Sequence, residues 1–192
     1  MIRISFAPAK QFLWLMLWRH RGLFRGDVGI DVGCGPMKNR PMFKTDRYVG
    51  IDINMASLVA GRRNYPDALP MVADISNLSI KSCDFALCVQ VLLRHNPANA
   101  ATIVVRLTNL INPGGSLIFT ISGPAHLSRS ETIDAIVGYN FKSVKKVEYG
   151  MSFGLDQGLG PLLGVIMFLF PFTRTLRGVK KMLYICKQKR GC

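Results

Sequence analysis

Two acidic residues, each closing an apolar run, carry the most legible chemistry in the chain. Asp31 lies in Gly29-Ile30-Asp31-Val32-Gly33-Cys34-Gly35-Pro36, and Asp52 in Gly50-Ile51-Asp52-Ile53. Val28 to Val32 has the residue types of a buried parallel strand. Gly33 and Gly35 permit a sharp turn at its carboxyl end, with no side chain to obstruct a ligand. Asp52 ends the neighbouring strand, about twenty residues on, where a carboxylate can accept from both hydroxyls of a ribose. A dinucleotide site would need a third glycine, and Pro36-Met37-Lys38-Asn39 stands there instead. An acid two residues before the first glycine repels a pyrophosphate and suits an ammonium group. The pattern therefore points to a ligand with an adenosine at one end and an amino acid at the other.

These residues resemble the motifs of class I methyltransferases that use S-adenosyl-L-methionine, and within them the methyltransferase type 11 group. The resemblance covers residues 28 to 149 and the last strand. It implies that Asp31, Gly33, Cys34 and Gly35 hold the methionine end of the cofactor and Asp52 the ribose. At Val72-Ala73-Asp74-Ile75 it implies that Asp74 faces the adenine amino group, with Ile53 and Ile75 on either side of the ring. Without the resemblance, Asp74 reads as a strand-end or helix-capping residue. Asp84 to His95 is similar to the family's fourth motif, which places Gln90 at the mouth where the methyl group is transferred. Leu107 to Gly115 is similar to its helix end and Pro-Gly-Gly turn. The short stretch after Gly35 is similar to small enzymes of glycan and cell-surface biosynthesis, which implies a small-molecule, glycan or lipid-linked acceptor.

Leu93-Arg94-His95 departs from the family, many members of which have Glu-His or Leu-His there. Methyl transfer from a sulfonium is an in-line displacement that demands positioning and a suitable electrostatic environment. A hydroxyl acceptor would also need a base. His95 and His126 are the candidates, both in loops expected at the carboxyl-terminal edge of the sheet, and each also reads as an ordinary loop histidine. No His/Cys/carboxylate spacing suggests a metal site. An RNA methyltransferase is the alternative that charge raises, but the chain has no Asn/Asp-Pro-Pro-Tyr/Phe motif. A protein that keeps the fold and binds the cofactor without turnover is the other.

The elements that must position these residues alternate. Strands are predicted at 28–32, 48–53, 69–73, 84–89, 116–121, 142–149 and 182–187. Helices are predicted at 8–21, from Asn54 to 64, from Asn96-Pro97 onward, and after a Ser128-x-x-Glu131 capping box. This is the pattern of an α/β Rossmann-like, doubly wound seven-stranded sheet, mostly parallel; the resemblance implies an antiparallel last strand. One methyltransferase domain over 1–192 is expected, with a helical cap at 1–26, a cofactor-binding core at 28–149, an acceptor-side insertion at 151–178 and a final strand at 180–187.

With 192 residues and 49% apolar content, the chain can bury a sizeable core. Its net charge of +14, from 25 basic and 11 acidic residues, calls for an anionic partner or a solvated basic surface. Five cysteines without a Cys-x-x-Cys suggest neither a disulfide framework nor zinc, and fit a reducing cytoplasm. Two apolar stretches remain. Phe12 to Trp18, flanked by Lys10, Arg19, Arg21 and Arg25, reads either as a helix packed on the sheet or as an interfacial helix with two tryptophans. Gln157 to Thr173 carries no charge and precedes Arg174, Arg177, Lys180 and Lys181. Pro161 and Pro171 bracket only about 14 Å of helix, against a hydrocarbon core of about 30 Å. That stretch therefore reads as a lid, a dimer contact or a peripheral contact with the inner face of the membrane.

Overall fold

The computed structural model describes residues 8–78, 80, 82–123, 130–149 and 181–191. Seven strands form one sheet: β1 (Arg25–Val32), β2 (Lys44–Asp52), β3 (Leu69–Val72), β4 (Cys83–Cys88), β5 (Ile111–Ser122), β6 (Phe141–Tyr149) and β7 (Lys181–Lys189). Their order is β3-β2-β1-β4-β5-β7-β6. The first five pair in parallel, and β7 runs antiparallel to both β5 and β6. The predicted strands are all present, several of them longer than expected. The expectations for His126, for Ser128 of the capping box and for residues 151–178 fall outside the described residues.

The chain goes from β1 to one side of the sheet, through β2 and β3, then returns to lay β4 on β1's other side. The order therefore reverses between β1 and β4, and a crevice opens at the carboxyl ends of these two strands. The glycine turn lies there.

Among the described residues, four α-helices cover the faces: α1 (Pro8–Arg19), α2 (Met55–Asn64), α3 (Pro97–Leu110) and α4 (Ser130–Asn140). The predicted caps form. Asn54 Oδ1 accepts from Ser57 N at 3.1 Å, and Asn96 Oδ1 from Asn99 N at 2.8 Å, with Pro97 in the first turn. On one face Ile103, Val104 and Leu107 of α3 and Ile133 and Val137 of α4 pack on Ile30, Val32, Ala86, Leu117 and Phe119. On the other, Leu13 and Leu17 of α1 and Leu58 of α2 share a core with Phe24, Phe85, Leu87, Ile118, Leu183 and Ile185.

No α-helix follows β1. Pro36 and Pro41 stand too close together for a helix to form between them. A turn and a short 3-10 segment (Arg40–Met42) lead directly to β2. Met37, Met42 and Phe43 fill the vacated face and are buried, with Met37 pressed against Gly61 of α2. The stretch 112–115 was expected to be a turn. It lies within β5 as an irregularity: Cys83 pairs with Ile111 and Phe85 with Ser116, and Gly114 takes φ +82°.

Candidate active site

The glycine turn is fastened to the end of β2 by its own backbone. Gly33 N and Cys34 N both donate to Ile51 O, at 2.7 and 3.0 Å. Gly35 N donates to Asp52 Oδ2 at 2.8 Å, and Asn54 N to Asp52 Oδ1 at 2.9 Å. Asp52 thus clamps the turn from below while remaining partly exposed. Each of its oxygens has one backbone donor and can accept another.

Gly33 takes φ +67° and is exposed; a Cβ there would come within 2.2 Å of Val91 Cγ2. The loops after β1 and β4 therefore touch, and this position needs glycine for both its conformation and its close approach. Across the crevice Gln90 has φ 61°, a conformation uncommon outside glycine. Its N–H donates to the buried Thr120 Oγ1 at 2.8 Å, which ties the mouth of β4 to β5.

Asp31 is fully buried. Tyr48 Oη donates to its Oδ2 at 2.8 Å, and Asn39 Nδ2 lies 3.3 and 3.5 Å from its two oxygens. Burial pushes its pKa up to about 7, against the lowering effect of the Tyr48 and Asn39 hydrogen bonds. Its hydrogen-bond partners within the fold are Tyr48 and Asn39. Cys34 is also buried, and burial pushes its thiol pKa up, with Asp31 and Asp52 adding to the effect. It is packing within the turn, not a thiolate.

Asp74 is exposed just past β3. It caps a 3-10 segment (Ile75–Asn77), accepting from Ser76 N at 2.7 Å. That hydrogen bond holds its carboxyl below the usual range, with a smaller contribution from His95. The capping role is thus present, and the side chain still stands at the carboxyl-terminal edge. Ile53 is 71% exposed and offers a free apolar face. Ile75 is 5% exposed and packed into the core. His95 is partly exposed after a short helical turn (Leu92–Arg94), near enough to Asp74 to act on it.

The structure thus brings Asp31, Gly33, Cys34, Gly35, Asp52, Ile53, Asp74, Gln90 and His95 to one edge of the sheet. Tyr48, Asn39 and Thr120 were missed by sequence reasoning. The available signal was that a buried hydroxyl and a buried carboxylate on neighbouring strands each need a partner. Only the register, with Tyr48 opposite Gly29, puts them together. A separate cavity of about 700 Å³ opens at the other, amino-terminal edge, lined in part by Arg25, Asp84, Ser143 and Lys187. It is remote from the glycine turn and takes no part in this site.

This strand order, with an antiparallel β7 and a glycine turn at the crevice, is the fold of the class I methyltransferases. Residues 30–119 match the methyltransferase domain family. Solved structures of the same fold include the N-methyltransferase NodS from Bradyrhizobium japonicum WM9 in complex with S-adenosyl-L-homocysteine. That likeness has 16% identity and TM-score 0.69, over 97% of this chain and 90% of NodS. Magnesium protoporphyrin IX methyltransferase (ChlM) from Synechocystis PCC 6803 with bound SAM is another, at 15% identity and TM-score 0.64, over 94% and 80%. The [4+2]-cyclase SpnF is a third, at 16% identity and TM-score 0.66, over 98% and 85%. No curated protein sequence matches.

Proposed function

We propose that the chain transfers the methyl group of S-adenosyl-L-methionine to a small-molecule, glycan or lipid-linked acceptor. The observation that carries this reading is the acidic mouth of a basic protein. Asp31, Asp52 and Asp74 follow one another at the ends of β1, β2 and β3, in a chain of net charge +14. A cation with a ribose suits that edge, and an anionic pyrophosphate does not.

The residues fit such a cofactor. Asp52 accepts from the ribose hydroxyls with the lone pairs that Gly35 and Asn54 leave free. Asp74 accepts from the adenine amino group, and Ile53 covers the ring. Gly33, Cys34 and Gly35 admit the methionine end against bare backbone. Asp31, in its ionised form, favours a cation above the turn. When bound, the cofactor supplies a methyl group on a sulfonium, ready for in-line displacement. Gln90, held by Thr120, lines the mouth through which the acceptor's nucleophile approaches. Where that nucleophile is a hydroxyl, His95 or His126 takes its proton. The stretch 157–173, which carries no charge in the sequence, suits an apolar acceptor.

Two other readings have specific support. The net charge favours RNA as acceptor, and the likeness to a [4+2]-cyclase is a reminder that this fold hosts other reactions. The test is calorimetric titration with S-adenosylmethionine, followed by incubation of the labelled cofactor with cell extract fractionated into RNA, lipid and small-molecule pools. Saturable binding with label in the lipid or small-molecule pool is expected. Label in RNA would replace the acceptor class, and binding without label in any pool would remove the transferase reading.

A further inference from the structure

The helix α1 is apolar on both sides. Leu13 and Leu17 are buried in the core beneath it, and Phe12 stacks on Tyr149 with ring centroids 6.4 Å apart. Its outward face carries Trp14 and Leu15, 46% and 45% exposed. Trp14 stacks on Trp18 at 5.3 Å, and the Arg21 guanidinium lies 4.5 Å over the Trp18 ring while donating to Trp18 O. A helix that packs on a sheet ordinarily turns a polar face outward. Here, among the described side chains, the outward face carries two tryptophans and a leucine, with Arg19 and Arg21 at its carboxyl end. Arg19, Lys145 and Lys187 crowd His20 at the carboxyl end of the helix, where, after burial, they favour its neutral form.

We infer that the outward face of α1 docks on an anionic phospholipid bilayer. The charge is complementary: Arg19, Arg21, Lys145 and Lys187 gather at the carboxyl end of the helix, in a chain of net charge +14. Tryptophan and arginine are the side chains that hold a helix at the headgroup level. The helix lies on the surface and does not span it, since its 12 residues reach about 18 Å against a core of about 30 Å. Single-stranded RNA would also use tryptophan and arginine, but it gains little from Leu15. Phe12 meets Tyr149, which pairs with Lys181 opposite Ser122, at the carboxyl end of β5. The amino end of α1 thus reaches the edge that carries the glycine turn, and docking brings that edge beside the bilayer. This last consequence rests on the methyltransferase reading and deepens its lipid-linked acceptor; the docking itself does not depend on it.

Trp14 and Trp18 are the two tryptophans of the chain, so intrinsic emission reports on α1 directly. The intact protein is mixed with vesicles of phosphatidylcholine alone or with phosphatidylglycerol, and both emission and co-sedimentation are followed. A blue shift with co-sedimentation on the anionic vesicles only, reversed by high salt, is expected. The Arg19→Glu/Arg21→Glu protein should partition at least about tenfold more weakly, as the loss of two cations near an anionic surface dictates. Leu15→Asp, which keeps both tryptophans and alters an exposed position, should also weaken partitioning. Circular dichroism and melting establish that both variants fold. Any of four results overturns the inference: no shift on anionic vesicles, co-sedimentation without a shift, a shift that grows with protein concentration alone, or a shift on polyuridylate but not on vesicles. Cofactor titration of the same preparations tests the methyltransferase reading separately.

Discussion

At the amino-terminal edge of the sheet, the Asp84 carboxylate accepts from Val28 N at 3.0 Å and from Asn112 Nδ2 at 2.9 Å, joining β1, β4 and β5. At the carboxyl-terminal edge, Asp52 accepts from Gly35 N and Asn54 N at 2.8 and 2.9 Å, also with one donor on each oxygen. The bonding is alike, and the surroundings are not. Asp84 sits among the ends of three strands, at the rim of the cavity on that edge. It stands under Gly115, whose added Cβ would lie 2.4 Å from the Asp84 carbonyl. Asp52 faces the reversal point of the strand order beside an exposed Gly33 and an exposed Ile53. One carboxylate type therefore ties strands at one edge and stays available to a ligand at the other. What sets its role is the topology around it.

The largest expected effect is at the place where the two loops of the open edge touch. Gly33→Val would put a branched side chain where a single Cβ already meets Val91 Cγ2 at 2.2 Å, in a left-handed conformation. Cofactor binding should be abolished in calorimetry, with the protein still folded by circular dichroism. Undiminished binding by a folded variant would move the ligand away from this edge and remove the contrast.

The next effect separates the two acids within the open edge. Asp31 has its pKa raised to about 7 by burial, so the folded protein holds this proton more tightly than the unfolded chain does. A raised carboxyl pKa means that the folded state binds more protons between about pH 4 and 7, so this group's contribution to stability falls as pH rises through that window. Asp31→Asn cannot titrate. The melting temperature of the variant should therefore gain on that of the wild type from pH 5 to about 7 and level off above that. A difference that stays flat would mean that Tyr48 and Asn39 hold Asp31 ionised throughout.

How far all this was legible follows from the kind of signal each residue gives. Asn54 and Asn96 were readable as caps because a cap acts over three residues. The alternation of strands and helices was readable because its periods are local. The absence of a helix after β1 was foreshadowed by Pro36 and Pro41. The buried partnership of Asp31 with Tyr48 was not, since those residues meet only through the β1–β2 register. Ile53 and Ile75 are the same residue type in matching strand-end positions, yet one is exposed and the other is core; α3 and its neighbours decide that, and they lie far off in sequence. The outward apolar face of α1 was half legible: the sequence left packing and interfacial readings open, and the helix does pack while keeping Trp14 and Leu15 exposed.

The last prediction crosses the two edges directly. Asp84→Ala leaves the Val28 N–H and the Asn112 amide without their acceptor in a partly buried place, at a cost of about 1–3 kcal/mol. Its distance from the glycine turn means that cofactor affinity should not change. Asp52→Ala removes an acceptor where water can replace it, so its melting temperature should fall less than that of Asp84→Ala. It also removes charge-assisted bonds to the ribose, worth about 1.5–3 kcal/mol each, so affinity should fall at least about tenfold. Melting curves and titrations on the same two proteins give four numbers, and the contrast requires them to cross: stability lost at Asp84, affinity lost at Asp52. Parallel losses in both variants would make Asp52 a second strand tie like Asp84, and the ribose would then need another acceptor at the end of β2.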